Sequence, residues 1–294
     1  MNPNSTTIMN EKRRTLLMML TPAVVVLILV TVFPLGYLFW ASLHKWEFGA
    51  AEKVFVLFGN FVKMAHDTRF WNSVLLALSL IVMAVGLQIG IGLIVSERLH
   101  RPFKGKNIVR MLLLLPMVSP PVVVGVMWRM FLQPRLGIMS YLLGLIGVKN
   151  PWLANPKTAL FAIAAVDTWQ WMPFVILMLM AGLASIPDEL SEAAQADGAT
   201  QLQIFRYILL PLLKPVIIIT VLFRVIDTLK VFPKIFIMTE GGPGTATEIM
   251  NFYAFRTTFQ YSRFGYGSAL SFTIFAVCIL LSIGIMSTFK GRSE

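Results

Sequence analysis

Long apolar runs separated by short charged segments dominate the chain. Five segments of 18 to 28 residues contain no Asp, Glu, Lys or Arg: residues 16–43, 73–96, 111–128, 168–187 and 264–289. An α-helix needs ~20 residues to cross the ~30 Å hydrocarbon core of a bilayer, so each segment is long enough to span a membrane. The pattern predicts an all-α integral membrane protein.

A sixth apolar segment, interrupted by Arg224, Asp227, Lys230 and Lys234, is predicted to span as well. The predicted organisation is a tail of residues 1–15 and one transmembrane domain of residues 16–290, with spans at about 16–43, 73–96, 108–131, 158–185, 214–238 and 264–289 and a loop at 186–213. We expect the first span to stay in the protein as an anchor, because its apolar region is too long for a signal peptide.

A shorter uncharged stretch, residues 136–148, has only 13 residues and is too short to span the bilayer. It is bracketed by Arg135 and Lys149. We interpret it as an interfacial or re-entrant helix.

Composition agrees with a membrane protein. Hydrophobic residues make up 57% and charged residues 13% of the 294 residues, against ~45–50% and ~25% in soluble domains. In so apolar a chain, the net charge of +11 indicates basic loops that face anionic membrane lipid rather than nucleic acid. The single cysteine, Cys278, excludes an intrachain disulfide.

The distribution of Lys and Arg predicts the orientation. With both termini cytoplasmic, the inner segments hold twelve Lys and Arg in 61 residues, and the outer segments hold eleven in 88 residues. The bias rests on the EKRR sequence near the N-terminus and on the short loop at 97–110, which are positions that the positive-inside rule weights strongly.

Motifs for chemistry are missing from the chain. There is no G-x-x-x-x-G-K-[S/T] sequence for ATP, and the three histidines, His44, His66 and His100, are scattered through loops. We therefore expect no enzyme, no metal site and no cofactor bound by this chain. A channel, a secondary carrier, a receptor or the membrane part of a larger machine remains.

The loop between the fourth and fifth spans has the composition of a short helix. Pro187, Asp188 and Glu189 suit a helix N-terminus because proline fits the first turn and carboxylates complement the helix dipole. Alanines and Gly198 then leave a nearly bare face. Such a face favours docking of another protein over an ordinary surface helix.

This loop also carries a motif: Glu192-Ala193-Ala194, Gly198 after three residues, Ile208 after nine more, and Leu210-Pro211. It resembles the E-A-A signature of permease subunits of binding-protein-dependent ABC importers. The runs LLPMVSPPVVVGVMWRMFLQP, DTWQWMPF and MTEGGPGTATEIMNFYAF are similar to the carbohydrate group, in its maltose F-type and glycerol-phosphate A-type half. The similarity covers roughly residues 16–290. This chain lacks the extra N-terminal helices and the large periplasmic insertion of the maltose protein.

The resemblance implies a fold, a location and partners. It implies six helices of the type I ABC importer permease fold in the bacterial inner membrane, with a cytoplasmic coupling helix. The implied partners are a second homologous permease subunit, two ATP-binding cassette subunits that hold ATP and Mg²⁺, and an extracytoplasmic substrate-binding protein. Glu192 would make the polar contact to the ATPase, Ala193, Ala194 and Gly198 would allow close approach, and Asp197 would support the turn.

Charges inside a bilayer are costly and mark pathways. In the fifth span Thr220, Arg224, Asp227, Lys230 and Lys234 recur every three or four residues, so a continuous helix would place them within one arc of its surface. Lys230 is the cation expected to meet substrate. A structural ion pair with the sister subunit remains open for the Arg224, Asp227 and Lys230 group.

The fourth span contains a cluster that suits a sugar. Asp167 is followed by Trp169, Gln170 and Trp171, which combine aromatic faces with a carboxylate and an amide. We expect these four side chains on the substrate pathway. The alternative is that the tryptophans face lipid and that Asp167 only caps a discontinuous helix.

After the fifth span, Met238 and Thr239 are assigned to the pathway, and Gly241, Gly242 and Pro243 form a loop that permits a tight reversal. The resemblance places this loop at the outer end of the pathway. Two glycines of the second span, Gly86 and Gly90, have the spacing of a close-packing motif.

The main hypothesis is a permease subunit that passes a sugar or sugar-like polyol and does no chemistry. The alternative is a proton-coupled secondary transporter of a small polar solute, in which Asp167 and Asp227 would carry the proton. A membrane enzyme acting on lipid head groups would need a catalytic cluster near one interface, and the sequence contains none.

Overall fold

The computed structural model describes residues 3–50, 52–100, 104–148 and 150–290, with side chains from 15 to 284. The helices of this part are α1 (Pro3–Leu27), α2 (Phe33–Ser42), α3 (Gly59–Ala65), α4 (Thr68–His100), α5 (Lys106–Val118), α6 (Pro121–Phe131), α7 (Ile138–Leu145), α8 (Ala159–Ala184), α9 (Asp188–Ala196), α10 (Gln201–Ile204), α11 (Leu210–Thr228), α12 (Phe232–Met238), α13 (Met250–Phe255) and α14 (Phe264–Lys290). Short π-helical turns join α1 to α2, join α10 to α11 and follow α13.

Five helical segments within the described residues are long and apolar enough to cross a membrane: Thr15–Ser42, Thr68–His100, Ala159–Ala184, Gln201–Thr228 and Phe264–Gly284. The pair α5 and α6 passes the same test but is bent by 95°. Counted as one broken span, this pair gives six. The predicted class, a mostly helical protein with several membrane spans, is confirmed.

The bend between α5 and α6 follows from two consecutive prolines. Pro120 and Pro121 have no N–H to donate, and a residue before a proline is pushed out of the helical region. Ser119 accordingly has an extended conformation, with φ −72° and ψ 133°. The predicted span at 108–131 is therefore two short helices.

The fifth span is also broken, although the sequence predicted a continuous helix over 214–238. Helix α11 ends at Thr228, and α12 begins at Phe232 with Pro233 in its first turn. The expectation that Lys230 and Lys234 continue the polar face of α11 is wrong, because both lysines follow the end of that helix.

The chain divides into two compact units, and the first comprises residues 1–66 and 254–275. It contains a two-stranded antiparallel hairpin that the sequence patterns did not predict, β1 (His44–Lys45) and β2 (Val54–Phe55), in which His44 pairs with Phe55. The amide of Asn60, on α3, donates to the backbone oxygens of Ser42 (2.7 Å) and His44 (2.9 Å). These bonds tie α3 to the end of α2 and to β1.

The second unit, residues 67–253 and 276–294, is built around α4 and α8. The residues of α4 that are buried recur every three or four positions, as in Leu80, Ala84 and Gln88. Helix α8 is buried along most of its length, because α4, α5 and α11 all pack on it. Buried apolar surface on these helices forms the core of this unit.

A glycine makes the contact between α4 and α8 possible. A Cβ atom at Gly92 would lie 2.8 Å from Cγ1 of Val175, whereas at Gly86 and Gly90 nothing lies within 4 Å. Within this chain, the prediction of close packing at Gly86 and Gly90 is therefore wrong, and the closely packed glycine is one helical half-turn further on.

We predict that Gly92→Val lowers the free energy of unfolding by about 1–3 kcal/mol, because the added side chain would overlap Val175 in a packed contact. Chemical denaturation of the purified protein in detergent, followed by near-ultraviolet circular dichroism, measures the change. The matched control is Gly90→Val, on the same helix, where the space is open. Equal losses in the two variants would contradict the packing.

Candidate functional site

Five polar side chains meet inside the second unit: Gln88, Asp167, Arg224, Asp227 and Lys234. We call this group the buried ion cluster. Asp167, on α8, is 1% exposed. Its Oδ1 accepts from Nζ of Lys234 at 2.5 Å, and its Oδ2 accepts from Nη2 of Arg224 at 2.7 Å and from Nε2 of Gln88 at 3.1 Å.

Arg224, on α11, joins the members of the cluster. Its guanidinium donates to Oε1 of Gln88 (2.8 Å) and to Oδ2 of Asp227 (2.6 Å), besides Asp167. Two cations face two carboxylates, so the cluster is neutral as a whole. This balance matters because an unpaired charge is very costly to bury, whereas a paired and hydrogen-bonded one is tolerated.

The cluster is open on one side. The side chain of Asp227 is 40% exposed, whereas those of Asp167 and Arg224 are 1–2% exposed. Lys230 is exposed, and its backbone N–H donates to the carbonyl of Asp227 at 2.9 Å. Asp227 is therefore the member of the cluster whose carboxylate reaches the surface of this chain.

Aromatic rings lie beside the cluster. The guanidinium of Arg224 stands 5.0 Å from the ring centre of Trp171, within cation–π range. Trp169 is 38% exposed and meets Trp128, on α6, edge to face with ring centres 5.6 Å apart. The structure thus brings Asp167, Trp171 and Asp227 together around Arg224, and it directs Trp169 to α6.

The side-chain amide of Gln170 hydrogen-bonds not to the buried ion cluster but to the backbone between α5 and α6. It is fully buried, and its Nε2 donates to the carbonyl of Ser119 at 2.8 Å. That carbonyl lies at the break between α5 and α6, where helical hydrogen bonding is interrupted. In this structure the side-chain amide of Gln170 supports the bend.

The remaining predicted pathway residues line a separate cleft of about 640 Å³. Its lining includes Met238, Thr239, Gly242 and Pro243 together with Arg129, near the end of α6. Nη1 of Arg129 donates to the carbonyl of Ile237 at 2.8 Å. The last turn of α12 and the end of α6 are thereby held together.

The loop at 239–249 is fixed by both local and long-range contacts. The hydroxyl of Thr247 donates to the carbonyl of Gly242 at 2.9 Å. Glu248, which is 1% exposed, accepts two hydrogen bonds from Arg69 at 2.6 and 2.9 Å. Gly241 has φ +79° and no room for a Cβ against the ring of Phe252, so only glycine fits there.

Sequence reasoning missed Gln88, and it did not assign Arg224 or Lys234 firmly. Gln88 had a usable signal, because it is the one amide within the predicted span at 73–96. The Arg69–Glu248 pair had none, since 179 residues separate its members.

The loop helix that carries the E-A-A motif forms as expected. Helix α9 has acidic residues in its first turn and no buried residue. Gly198, with φ +83°, ends it in a Schellman motif: its N–H donates to the carbonyl of Gln195, and that of Ala199 to Ala194. Glu192, Ala193, Asp197 and Gly198 are exposed, and Ala194 is half-buried.

Across the described residues, no group of three or more His, Cys, Asp or Glu side chains is arranged to hold a metal ion. The cluster is built of ion pairs and amides, and a hydrolytic or redox centre has no counterpart in this arrangement. Its chemistry is that of binding and charge compensation.

The sequence model of the family described as binding-protein-dependent transport system inner membrane component matches residues 88–290. This is more than half of the chain, and the chain belongs to that family. It is therefore a multi-pass membrane protein and a permease subunit of an ABC-type importer, which works with ATPase and binding-protein partners, and it is not an enzyme.

Two relatives cover most of the chain. It is 36% identical to "Probable ABC transporter permease protein y4oQ" of Sinorhizobium fredii, over 91% of this chain and 87% of that protein. It is 34% identical to the trehalose/maltose transport system permease protein MalF of Thermococcus litoralis, over 91% of each. Nothing in these comparisons supports the proton-coupled secondary transporter.

Among solved structures, the chain is similar to one chain of a bacterial ABC transporter involved in the import of the acidic polysaccharide alginate. The TM-score is 0.82 at 22% identity, and the match covers 98% of this chain and all of the other. The type I permease fold is confirmed by this likeness.

We predict that Asp167→Asn lowers the free energy of unfolding by about 3–5 kcal/mol, because it leaves two buried cations short of one carboxylate. The matched substitution Asp227→Asn should cost about 1 kcal/mol or less, since that side chain is partly solvated. Denaturant titration in detergent measures both values.

A third variant makes the interpretation specific. Adding Lys234→Met to Asp167→Asn removes the unpaired lysine and should recover part of the loss, since contacting residues are not additive. Equal costs for the two single Asp variants, or strict additivity in the double variant, would contradict the cluster as described.

Proposed function

We propose that this chain forms half of the membrane pathway for a sugar or sugar-like polyol in an ATP-driven importer. The observation that carries the proposal is the similarity, over nine-tenths of both chains, to a permease protein of a trehalose/maltose transport system. The cluster supports it, because the carboxylate of Asp227 can accept hydrogen bonds from hydroxyl groups.

The proposed pathway contains residues that contact the solute and residues that hold them in position. Asp227, Lys230 and the ring of Trp171 are the contact residues, and Trp169 adds a half-exposed aromatic face. Asp167 and Gln170 act as positioning residues, because both are buried, the oxygens of Asp167 accept from Arg224 and Lys234, and the amide nitrogen of Gln170 donates to the carbonyl of Ser119. The sequence pattern placed all of these residues on the pathway, and the proposal divides them into contact residues and positioning residues.

The assembly we propose contains a second homologous permease subunit, two ATP-binding cassette subunits that bind ATP and Mg²⁺, and an extracytoplasmic binding protein. Exposed apolar surface supports further neighbours in the membrane, since none of the most apolar window of the first span is buried within the chain. Membrane lipid and the second subunit would cover it.

The proposed topology has the N- and C-termini in the cytoplasm of a bacterial cell, as the Lys and Arg densities favour. Helix α9 then lies on the cytoplasmic side with the ATPases, and the cleft at Met238, Thr239, Gly242 and Pro243 lies on the outer side with the binding protein. Gly241 shapes that outer loop through its positive φ.

Helix α9 is proposed as the coupling helix. It follows α8 directly, and α10 and α11 follow it, so it is attached at both ends to spans that meet in the buried ion cluster. Its small, exposed side chains leave room for a groove of the ATPase, with Glu192 as a polar contact. A rigid helix attached in this way can pass on a rigid-body motion.

Uptake in proteoliposomes that contain the full transporter tests the function. We expect accumulation of a labelled trehalose- or maltose-class sugar to require the binding protein, and also ATP on the side of the membrane where the ATPase subunits lie. Accumulation should persist when a protonophore removes the proton gradient. Uptake that survives omission of the ATPase subunits, and stops with the protonophore, would contradict the proposal.

The coupling role makes a separate prediction at Ala193. Ala193→Leu should reduce uptake at least tenfold and uncouple ATP hydrolysis from transport, because a bulky side chain blocks close approach of the ATPase. Ala193→Ser, which keeps the small volume, should stay within about twofold of the unmodified protein.

Membrane insertion and thermal stability of both variants are measured in parallel, and both should be unchanged because Ala193 is exposed. Normal coupled uptake by Ala193→Leu would exclude close docking on this face of α9.

A further inference from the structure

A pocket in the first unit has no part in the function proposed above. It lies between the β1–β2 hairpin, α3 and the start of α14, and its volume is about 310 Å³. Its lining includes Lys45, Lys63, Arg263, Glu47, Trp46 and Tyr266. We call it the hairpin pocket.

Backbone and amide bonds give this pocket a defined shape. Asn60, which is 7% exposed, lines it and holds the carbonyls of Ser42 and His44. The N–H of Gly265 donates to the carbonyl of Trp46 at 3.0 Å, and the N–H of Phe48 to that of Ser262 at 2.9 Å. The hairpin is thereby fastened to the first turn of α14.

The charge of the pocket is positive. Three cations line it against one carboxylate, and Nε of Arg263 lies 3.9 Å from Oε1 of Glu47. Nζ of Lys63 stands 5.0 Å from the ring centre of Tyr266. Of the carboxylates in the described part of the chain, none is within salt-bridge distance of Lys45 or Lys63. An anion is the complementary ligand.

The position along the chain puts these cations at the membrane boundary. Lys45 is three residues beyond Ser42, where the first span ends, and Arg263 immediately precedes Phe264, where the last span begins. At 1.5–3.4 Å per residue, both side chains start within ~10 Å of the hydrocarbon edge. Lipid phosphates occupy this depth.

Exposed aromatic side chains lie on the hairpin and on the chain segments directly before and after it. Trp40 is 41% exposed, Phe48 80%, Phe55 59% and Phe58 53%. Aromatic residues are enriched at the boundary between hydrocarbon and water, where their rings sit at the level of the head groups. Such rings beside a basic pocket suit a ligand with a charged head and apolar tails.

We propose that the hairpin pocket binds the head group of an anionic phospholipid. Lys45, Lys63 and Arg263 face the phosphate, Trp46 and Tyr266 flank it, and the acyl chains lie along the exposed apolar side chains. The site is independent of the transported solute and of the coupling helix, so either proposal stands if the other fails.

The test is a lipid titration of the full-length chain, purified and delipidated in detergent within its transporter, and read by native mass spectrometry. Phosphatidylglycerol should bind at least tenfold more tightly than phosphatidylcholine. The variant Lys63→Gln/Arg263→Gln should weaken the tightest phosphatidylglycerol site about fivefold per charge, hence about 25-fold. The charge-preserving variant Lys63→Arg/Arg263→Lys should bind as the unmodified protein does.

A matched control is Arg135→Gln/Lys157→Gln, which removes two exposed cations outside the pocket and should change the affinity less than twofold. Equal binding of the two phospholipids, or equal losses in both double variants, would overturn the proposal. Displacement of the lipid by millimolar glycerol phosphate would indicate a site for a soluble anion instead. If Lys63→Gln/Arg263→Gln lost docking of the binding protein but kept its lipid affinity, the ligand of the pocket would be an acidic protein surface and the lipid proposal would be overturned.

Discussion

The carboxylate of Asp167 is the interaction on which the second unit depends. It is buried in a chain of predominantly apolar helices, and such a charge is tolerated only where cations and donors surround it. Arg224 from α11, Lys234 from α12 and Gln88 from α4 all meet it. Four helices are therefore joined at one point, and their relative placement is set by hydrogen-bond geometry as well as by apolar packing. The break in the fifth span contributes to this contact. Lys234 reaches Asp167 from α12, which begins after α11 has ended.

Small residues allow the helices to come close enough for these bonds. Gly92 admits Val175 of α8 next to α4, and Gly182 lies against Leu213 and Val216 of α11. A Cβ atom added to Gly125, in α6, would lie 3.4 Å from the side chain of Ile237 and 3.7 Å from the backbone of Lys234, both on α12. Ion pairs and close packing therefore support one another. Helix α9, the proposed coupling helix, is attached to α8 and through α10 to α11, so a displacement of α9 would act on a frame that the cluster holds together.

Much of the architecture could be predicted from the sequence, since hydrophobic length alone identifies membrane helices. Four of the five uncharged segments lie in continuous helices, and the E-A-A loop forms a short exposed helix that ends at Gly198. Errors arose where prolines act. Pro120 and Pro121 bend the third span, and Pro233 starts a new helix, whereas the apolar pattern continues through all three positions. The hairpin at His44 and Phe55 was missed because two-residue strands carry no measurable alternation.

The sequence by itself determined the class of protein, the apolar segments long enough to span a membrane, the exposed E-A-A helix and the presence of charges within the apolar segments, because these depend on local composition and spacing. Only the tertiary structure decided how those charges are used. Asp167 and Arg224 are 57 residues apart, and Gln88 and Arg224 are 136 apart, so no local pattern connects them. Whether a carboxylate faces a solute or a guanidinium depends on which helices meet. That choice left Asp227 at the open edge and enclosed Asp167, although both are single aspartates within otherwise apolar helices.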